Sequence, residues 1–337
     1  MLQGHGDDGY RYSKTLQADF STNVWYGGEP AGLKEHLFSQ WSSINRYPEV
    51  LAESLAEQVA NHHQLSADHV LINSGTTESI YLIAHAFAGK KTTIVIPAFA
   101  EYEDACGMHG HQLSFLAWDE LATLPHLTTD LVFICNPNNP TGAVFSQLAV
   151  WLSQNPQTLF VVDEAFIDFT ASQPTTIPLL HQYPNLIIMR SLTKMYAIPG
   201  LRLGYVLSSP AIVERLKTLK QPWTVNTLAL EAGKFIFTHY ARIQPPVVQL
   251  LTDKDDFIRA LRQQIVLQVY DSQTHFFLAQ TLIGTAGQLK HFLVEKHGLL
   301  IRDASNFRGL SSRHFRLATL APETNQLLIN ALAEWKN

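Results

Sequence analysis

Seven short runs between residues 69 and 207 are apolar at almost every position, and they restrict the possible folds more than any other feature. Leu131-Val132-Phe133-Ile134-Cys135 and Leu159-Phe160-Val161-Val162 have no polar alternate face. A strand that is apolar on both sides needs cover on both sides, as in a helix-flanked sheet. The runs fall at 69–72, 93–96, 112–116, 131–135, 159–162, 186–189 and 203–207. Amphipathic stretches precede or separate them, at 50–63, 77–87, 102–110, 147–153 and 211–219. This alternation predicts an α/β fold with a doubly wound, mostly parallel sheet of seven strands.

After about Asn226 the rhythm changes. A helical stretch at 227–263 is interrupted near Pro245-Pro246, where a missing N–H and a ring clash end or kink a helix. An apolar segment follows at 267–280, then a helix at 287–297, strands at 299–302 and 314–319, and a final helix from 321. The expected organisation is a large domain at 41–226 and a smaller α+β domain at 227–337. Residues 1–40, which lack periodicity, would form an arm over a cleft, joining the small domain. Hydrophobic residues are 46% of the chain and charged ones 16%, enough to bury a sizeable core. A net charge of −5 lacks the basic footprint of a nucleic-acid binder. No apolar stretch reaches bilayer-spanning length. The first residues have neither a basic n-region nor an apolar h-region. Cys106 and Cys135 cannot make a disulfide framework. A soluble, cytoplasmic protein with neither nucleic-acid nor membrane partners is expected.

Chemistry concentrates where the apolar runs end. Lys194, in Arg190-Ser191-Leu192-Thr193-Lys194, sits between an apolar strand and an apolar turn, with Arg202 eight residues on. A lone lysine is most often a solvated charge. Burial and nearby positive charge would instead lower its pKa and free the amine to form a Schiff base with an aldehyde cofactor. Asp163 ends a buried strand. Such an Asp is ordinarily a cap or loop carboxylate. At the carboxyl edge of a parallel sheet, where ligands of open α/β folds bind, it can instead keep a pyridine nitrogen protonated. Asn136-Pro137-Asn138-Asn139-Pro140-Thr141-Gly142 is a turn by default, yet it falls on the same edge, where an Asn amide can donate to a ring oxygen. Asn73-Ser74-Gly75-Thr76-Thr77-Glu78-Ser79 lacks a Walker ending, but a helix start beside hydroxyls can cradle a phosphate. Each signal is weak alone; four along one sheet edge are not. The tracts Met108-His109-Gly110-His111 and His62-His63 lack partners at ligand spacing, so no metal is expected.

The set Gly-Thr-Thr-Glu, Asn-Pro-Asn-Asn-Pro-Thr-Gly, Asp-Glu-Ala-Phe, Ser-Leu-Thr-Lys and Arg-Leu-Gly resembles the fold-type I pyridoxal-phosphate enzymes of the aspartate aminotransferase superfamily. Within it, the chain is most similar to the histidinol-phosphate aminotransferase group. More narrowly, it resembles the L-threonine-O-3-phosphate decarboxylases of cobalamin biosynthesis. The narrower match rests on His5-Gly6, Asp19-Phe20-Ser21-Thr22-Asn23, Arg46-Tyr47-Pro48 and Phe99-Ala100-Glu101-Tyr102. It continues through Asp163 to Phe169, residues 190–205, Pro222-Trp223-Thr224-Val225-Asn226, Leu300-Ile301-Arg302 and Phe315-Arg316-Leu317.

The resemblance implies roles. Lys194 would bind pyridoxal 5′-phosphate covalently and shuttle protons. Asp163 would pair with the pyridine N–H, Asn139 would face the ring oxygen, and Tyr102 would stack on the ring. Thr76, Thr77, Ser191 and Arg202 would hold the cofactor phosphate, joined by Tyr47 from the neighbouring subunit of a homodimer with shared active sites. His5, Gly6, Asn23, Arg302 and Arg316 would meet the substrate, a small phosphorylated amino acid or amine.

Two departures bear on that substrate. Phe166 stands where the aminotransferases usually have Tyr, and it cannot donate to the ring oxygen. Asp7-Asp8 and Val24-Trp25-Tyr26-Gly27 replace the expected Gly after His-Gly and the expected Asn-Pro-Leu-Gly. The bond that breaks in such enzymes is the one perpendicular to the cofactor ring. An arginine holding the substrate carboxylate in plane exposes Cα–H and favours transamination. A site anchored on a substrate phosphate can turn the carboxylate out of plane and favour CO₂ loss. The implied reaction is decarboxylation of O-phospho-L-threonine to aminopropanol phosphate, with histidinol-phosphate or amino-acid aminotransferase as the alternative. A non-catalytic α/β regulator is the alternative of another class, and the intact set Lys194, Asp163, Asn139 and Arg202 speaks against it.

Overall fold

The computed structural model describes residues 6–171 and 173–336. Its first eight strands are β1 (Ala18–Asp19), β2 (Val70–Asn73), β3 (Lys91–Ile96), β4 (Gln112–Ala117), β5 (Leu131–Cys135), β6 (Leu159–Asp163), β7 (Leu186–Ser191) and β8 (Gly204–Ser208). The seven apolar runs form one sheet in the order β2-β8-β7-β6-β5-β3-β4. Strand β8 alone runs against its neighbours; the other pairs are parallel. A reversed strand begins where its neighbours end, so Gly204 lies opposite both Asn73 and Ser191. The turn before β8 therefore joins the carboxyl ends of β2, β5, β6 and β7 at a single edge.

Strand periodicity divides the core in two. Leu71, Ile94, Phe133, Val161, Ile187 and Val206 point to one face, while Ile72, Val95, Val132, Val162, Ile188 and Leu207 point to the other. The helices up to residue 239 are α1 (Leu33–Ser39), α2 (Glu53–His63), α3 (Gly75–Ala86), α4 (Glu101–Met108), α5 (Leu148–Gln154), α6 (Pro210–Lys217) and α7 (Thr227–His239). Helices α3, α4 and α6 cover the first face, and α2, α5 and α7 the second. Each Leu, Ile or Phe so enclosed contributes about 1.5–3 kcal/mol relative to exposure, so a strand apolar on both faces is stable only in this sandwich.

The remaining elements are β9 (Leu267–Val269), β10 (Phe276–Thr281), β11 (Leu299–Leu300), β12 (Arg302–Asp303), β13 (His314–Ala318), α8 (Val247–Leu261), α9 (Ala286–Phe292) and α10 (Pro322–Leu332). Strands β12-β13-β10-β9 form an antiparallel sheet. Phe277, Phe315 and Leu317 pack there with Phe257, Leu289 and Leu328 of the three helices. The arm joins this part of the molecule, because β1 pairs in parallel with β11.

One expectation is corrected. The run at 299–302 is not one strand: Leu299-Leu300 pairs with the arm and Arg302-Asp303 with β13. The apolar segment at 267–280 carries the antiparallel strands β9 and β10. Just past the change of rhythm at 226, Ala229, Leu230 and Ile236 of α7 lie in the core of the large sheet. The arm also contains a helix, α1, that the sequence did not signal. No helix among the described residues is long and apolar enough to cross a membrane.

Candidate active site

A cavity of about 440 Å³ opens between the edge of the large sheet, strands β12 and β13, and the arm. Its floor is made from the ends of apolar strands. Asp163, the last residue of β6, is buried. Its Oδ2 accepts the Tyr102 hydroxyl at 2.6 Å and its Oδ1 accepts the Ala165 N–H at 2.9 Å. Burial raises the carboxyl pKa, and these two hydrogen bonds oppose the rise. Tyr102 lines the cavity beside Asp163. Its phenol is fully buried against Phe133, with centroids 5.3 Å apart, and a buried hydroxyl needs an acceptor, which Asp163 supplies.

Lys194 lines the same cavity from the turn before β8. Its amine is pushed down to about 8, first by burial, then by Arg316 and Arg202, with Asp163 and Asp7 pulling the other way. The backbone under it is tied to the arm, since the Trp25 N–H donates to the Lys194 carbonyl at 2.9 Å. Asn139, buried in the turn after β5, accepts Arg316 Nη1 on Oδ1 at 2.6 Å. That bond assigns the amide and leaves Nδ2 as the end that can donate to a ligand oxygen.

Thr76 and Thr77 lie in the first turn of α3 and line the cavity beside Arg202. Gly75 has φ +79°, and a Cβ there would lie 2.7 Å from Arg202 Nη2. The guanidinium can therefore sit over the helix start only if that backbone is bare. Free helix N–H groups, threonine hydroxyls and a guanidinium converge as a phosphate cradle requires. Ser191 is displaced from the expected set. It is buried, its hydroxyl is shared with Thr193 at 2.9 Å, and Thr193 lines the cavity in its place. Tyr47 is 83% exposed and packs on Trp223 at 5.1 Å, away from its own chain's cavity.

The roof comes from the small sheet and the arm. Arg302 and Arg316 are register partners on adjacent antiparallel strands, which puts both on one face although they are distant in sequence. Arg302 donates to the Asp303 carbonyl and, at 2.8 Å, to Asn306 Oδ1. Arg316 Nη2 donates to the Ser21 carbonyl at 2.6 Å. Burial lowers Arg302 to about 10 and Arg316 to about 9, so both stay charged at neutral pH. Arg316 Nε and Asn23 Nδ2 are buried donors without a partner among the described residues. Gly6 also lines the cavity, and a Cβ there would lie 2.5 Å from the Ser21 carbonyl oxygen. His5 falls outside the described residues.

The two arm carboxylates part company: Asp8 pairs with Lys290 at 2.6 Å, whereas Asp7 lines the cavity. Phe166 lines it too, packed edge-on against Phe276 at 4.8 Å. Asp19, Ser21, Thr193 and Phe307 also line it without having been assigned a role from sequence, although Asp19, Ser21 and Thr193 stand inside the quoted motifs. Among the described residues, no group of three or more His, Cys, Asp or Glu could hold a metal ion. His111, from one suspected tract, instead bonds Thr92 and the Ala84 carbonyl in the core. The donor set fits pyridoxal phosphate: a buried carboxylate for a ring N–H, an amide for a ring oxygen, a lysine with a lowered pKa and a cradle for phosphate.

The family model for aminotransferase class I and II matches residues 18–332. The chain is 35% identical to a threonine-phosphate decarboxylase of Salmonella typhimurium, covering 93% of this chain and 90% of that protein. It is 30% identical to a histidinol-phosphate aminotransferase of Caldanaerobacter subterraneus, over 86% and 84% of the two chains. The crystal structure of L-threonine-O-3-phosphate decarboxylase from Porphyromonas gingivalis superposes with a TM-score of 0.90 at 38% identity, over 93% of this chain and 97% of that one.

Proposed function

The chain belongs to the aminotransferase class I and II family, and from that premise we propose that it is a pyridoxal-phosphate-dependent decarboxylase acting on O-phospho-L-threonine. The products would be CO₂ and aminopropanol phosphate, as cobalamin biosynthesis requires. The observation that supports this most is the pair Arg302 and Arg316, two buried guanidinium groups side by side above Asp163 and Lys194. They provide for a substrate with two anionic groups.

When bound, pyridoxal phosphate would supply a sink for the electron pair left at Cα as a bond there breaks. The protein's residues do the rest. Asp163 would pair with the ring nitrogen's proton, and the Tyr102 and Ala165 hydrogen bonds oppose the rise in its pKa that burial causes. The Asn139 amide, fixed by Arg316, donates to the ring oxygen without help from Phe166. Thr76, Thr77 and Arg202 would hold the cofactor phosphate, with Ser191 behind them bonded to Thr193, the hydroxyl that lines the cavity. Arg302 and Arg316 would take the substrate's anionic groups and so govern which bond at Cα breaks, with Gly6 and Asn23 lining the same cavity; the resemblance adds His5 to this set. Lys194, its pKa lowered to about 8, would deliver a proton to Cα after CO₂ leaves. Tyr47 and Trp223, exposed together on one face, suit a twofold dimer in which Tyr47 serves the partner's cofactor phosphate. The same reading assigns the enzyme to the cytoplasm and takes 1–40 as arm, 41–226 as large domain and 227–337 as small domain, the last entered through α7, which packs on the large sheet.

Histidinol-phosphate aminotransferase is the second reading, favoured by the 30% identity to such an enzyme. Incubation with O-phospho-L-threonine, and separately with histidinol phosphate plus 2-oxoglutarate, decides between them. Release of CO₂ is expected from the first. Glutamate from the second, without CO₂ from the first, would overturn the proposal in favour of transamination.

A further inference from the structure

On the reading that the substrate carries a phosphate ester, the charges left to receive it do not suit a fully ionised phosphate. Asp163, Lys194 and Arg202 are committed to the cofactor. What remains around the cavity is Arg302 and Arg316 against Asp7 and Asp19. A phosphate monoester has its second pKa near 6 and carries about −1.5 to −2 at pH 7. Together with the substrate carboxylate, a dianion would outweigh the two guanidinium groups even before either Asp is considered.

We propose that Asp7 selects the singly protonated phosphate of the substrate, accepting a hydrogen bond from its P–OH, so that the enzyme turns over the monoanionic ester. Asp7 is an exposed residue whose backbone is held in place. Its N–H donates to Ser21 Oγ at 2.9 Å, and the neighbouring Asp8 is clamped by Lys290 at 2.6 and 2.8 Å. Its own carboxylate has no cation partner among the described residues. The charged groups that share the cavity with it are Asp19 from the arm strand, Arg302 and Arg316 from β12 and β13, Lys194 and Arg202 from the turn before β8, and Asp163 from β6; of these, Asp19 and Lys194 feel its charge. The Asp8–Lys290 pair is satisfied within itself. Asp19 accepts the Ser21 N–H at 2.7 Å, and burial raises its pKa, so Asp7 is the freer acceptor. The unpartnered donors Arg316 Nε and Asn23 Nδ2 suit the unprotonated oxygens of the same anion. A P–OH presents a donor to the carboxylate, whereas a dianion presents only repulsion.

Asp7→Asn is a mild substitution, because Asp7 sits at φ +58°, a conformation that Asn tolerates well. The holoenzyme and this variant are compared by kcat/KM and by calorimetric binding from pH 5.5 to 8.5, with O-phospho-L-threonine and with O-sulfo-L-threonine, whose sulfate has no titrating proton. For the phosphate ester, the ratio of variant to wild-type kcat/KM should rise about tenfold from pH 6 to 8, as the ester loses its second proton. For the sulfate ester, binding by wild type should be weak, should strengthen in the variant, and the ratio should stay flat with pH. Parallel pH profiles for the two proteins on the phosphate ester would overturn the role of Asp7 while leaving the decarboxylase reading intact. Absence of both CO₂ release and O-phospho-L-threonine binding at every pH would overturn both.

Discussion

The floor and the roof of the cavity are built by different routes. On the floor, Asp163 ends β6, Asn139 follows β5, Thr76 and Thr77 open the helix after β2, and Lys194 and Arg202 lie in the turn before β8. Each owes its place to the strand next to it, and the sheet brings them together. On the roof, Gly6, Asp7 and Asn23 come from an arm with one short strand, and Arg302 and Arg316 meet only because β12 pairs with β13. The floor is local structure summed over a sheet, while the roof exists only in the tertiary fold. The teaching is that cofactor chemistry should tolerate damage to the roof, but substrate chemistry should depend on both.

Damage to the floor should have the largest effect. Lys194→Ala should lower turnover by about four orders of magnitude, the scale seen when a covalent catalytic group is removed. It should also abolish borohydride fixation of the cofactor to the chain, measured as cofactor retained after denaturation. Retention in the variant would put the covalent link elsewhere. The wild-type apoprotein offers a pH test of the same residue. Only the neutral amine attacks an aldehyde, and its pKa lies at about 8, below the ordinary 10.5. The rate of cofactor capture should therefore climb up to about pH 8 and level off above it. A rate still climbing at pH 10 would mean that the amine is solvated rather than enclosed.

Arg316 joins the two regions and is where the comparison can be broken. One guanidinium nitrogen holds Asn139 on the floor and another holds the Ser21 carbonyl in the arm. Arg316→Lys keeps the charge but cannot make both bonds with that geometry. We expect kcat/KM to fall by about 10²–10³, with kcat falling as well as KM rising, in line with losing hydrogen bonds to a charged group. Among the described residues Arg302 donates to its own neighbourhood, Asp303 and Asn306, so Arg302→Lys should act mainly on KM. Equal kinetic signatures for the two variants would dissolve the distinction between floor and roof.

How much was legible in the sequence follows the same division. All seven strands of the large sheet were visible, because strands apolar on both faces can be hidden in few ways, and their ends located Asp163, Asn139 and Thr76. Lys194 and Arg202 were visible as residues, but their closeness to Asn73 and Asp163 depends on the reversal of β8, which no local pattern encodes. The hydroxyl bond from Tyr102 to Asp163 was not legible, since it depends on how α4 docks. Ser191 and Thr193 were indistinguishable as hydroxyls two residues apart, and only the turn decides which one faces the cavity. The break at Ile301 was hidden for another reason: 299–302 reads as one apolar run, yet its halves pair with different parts of the chain.

The smallest expected effect concerns a residue that belongs to neither region of its own chain. Tyr47 is 83% exposed and stacks on Trp223, itself 46% exposed, and its hydroxyl meets nothing in the cavity below. Tyr47→Phe keeps the ring on Trp223 and removes only the hydroxyl. If that hydroxyl reaches the partner's cofactor phosphate, one hydrogen bond to a charged group is lost, and the cofactor dissociation constant should rise about tenfold. Mixing identifies which subunit it serves. In a dimer of one Tyr47→Phe chain and one Lys194→Ala chain, the site containing the intact lysine also receives an intact Tyr47, provided the residue crosses the interface. Fluorescence titration of such mixed dimers should recover a class of sites with wild-type affinity. If every lysine-bearing site keeps the weakened affinity, Tyr47 acts within its own chain, and the shared site is wrong.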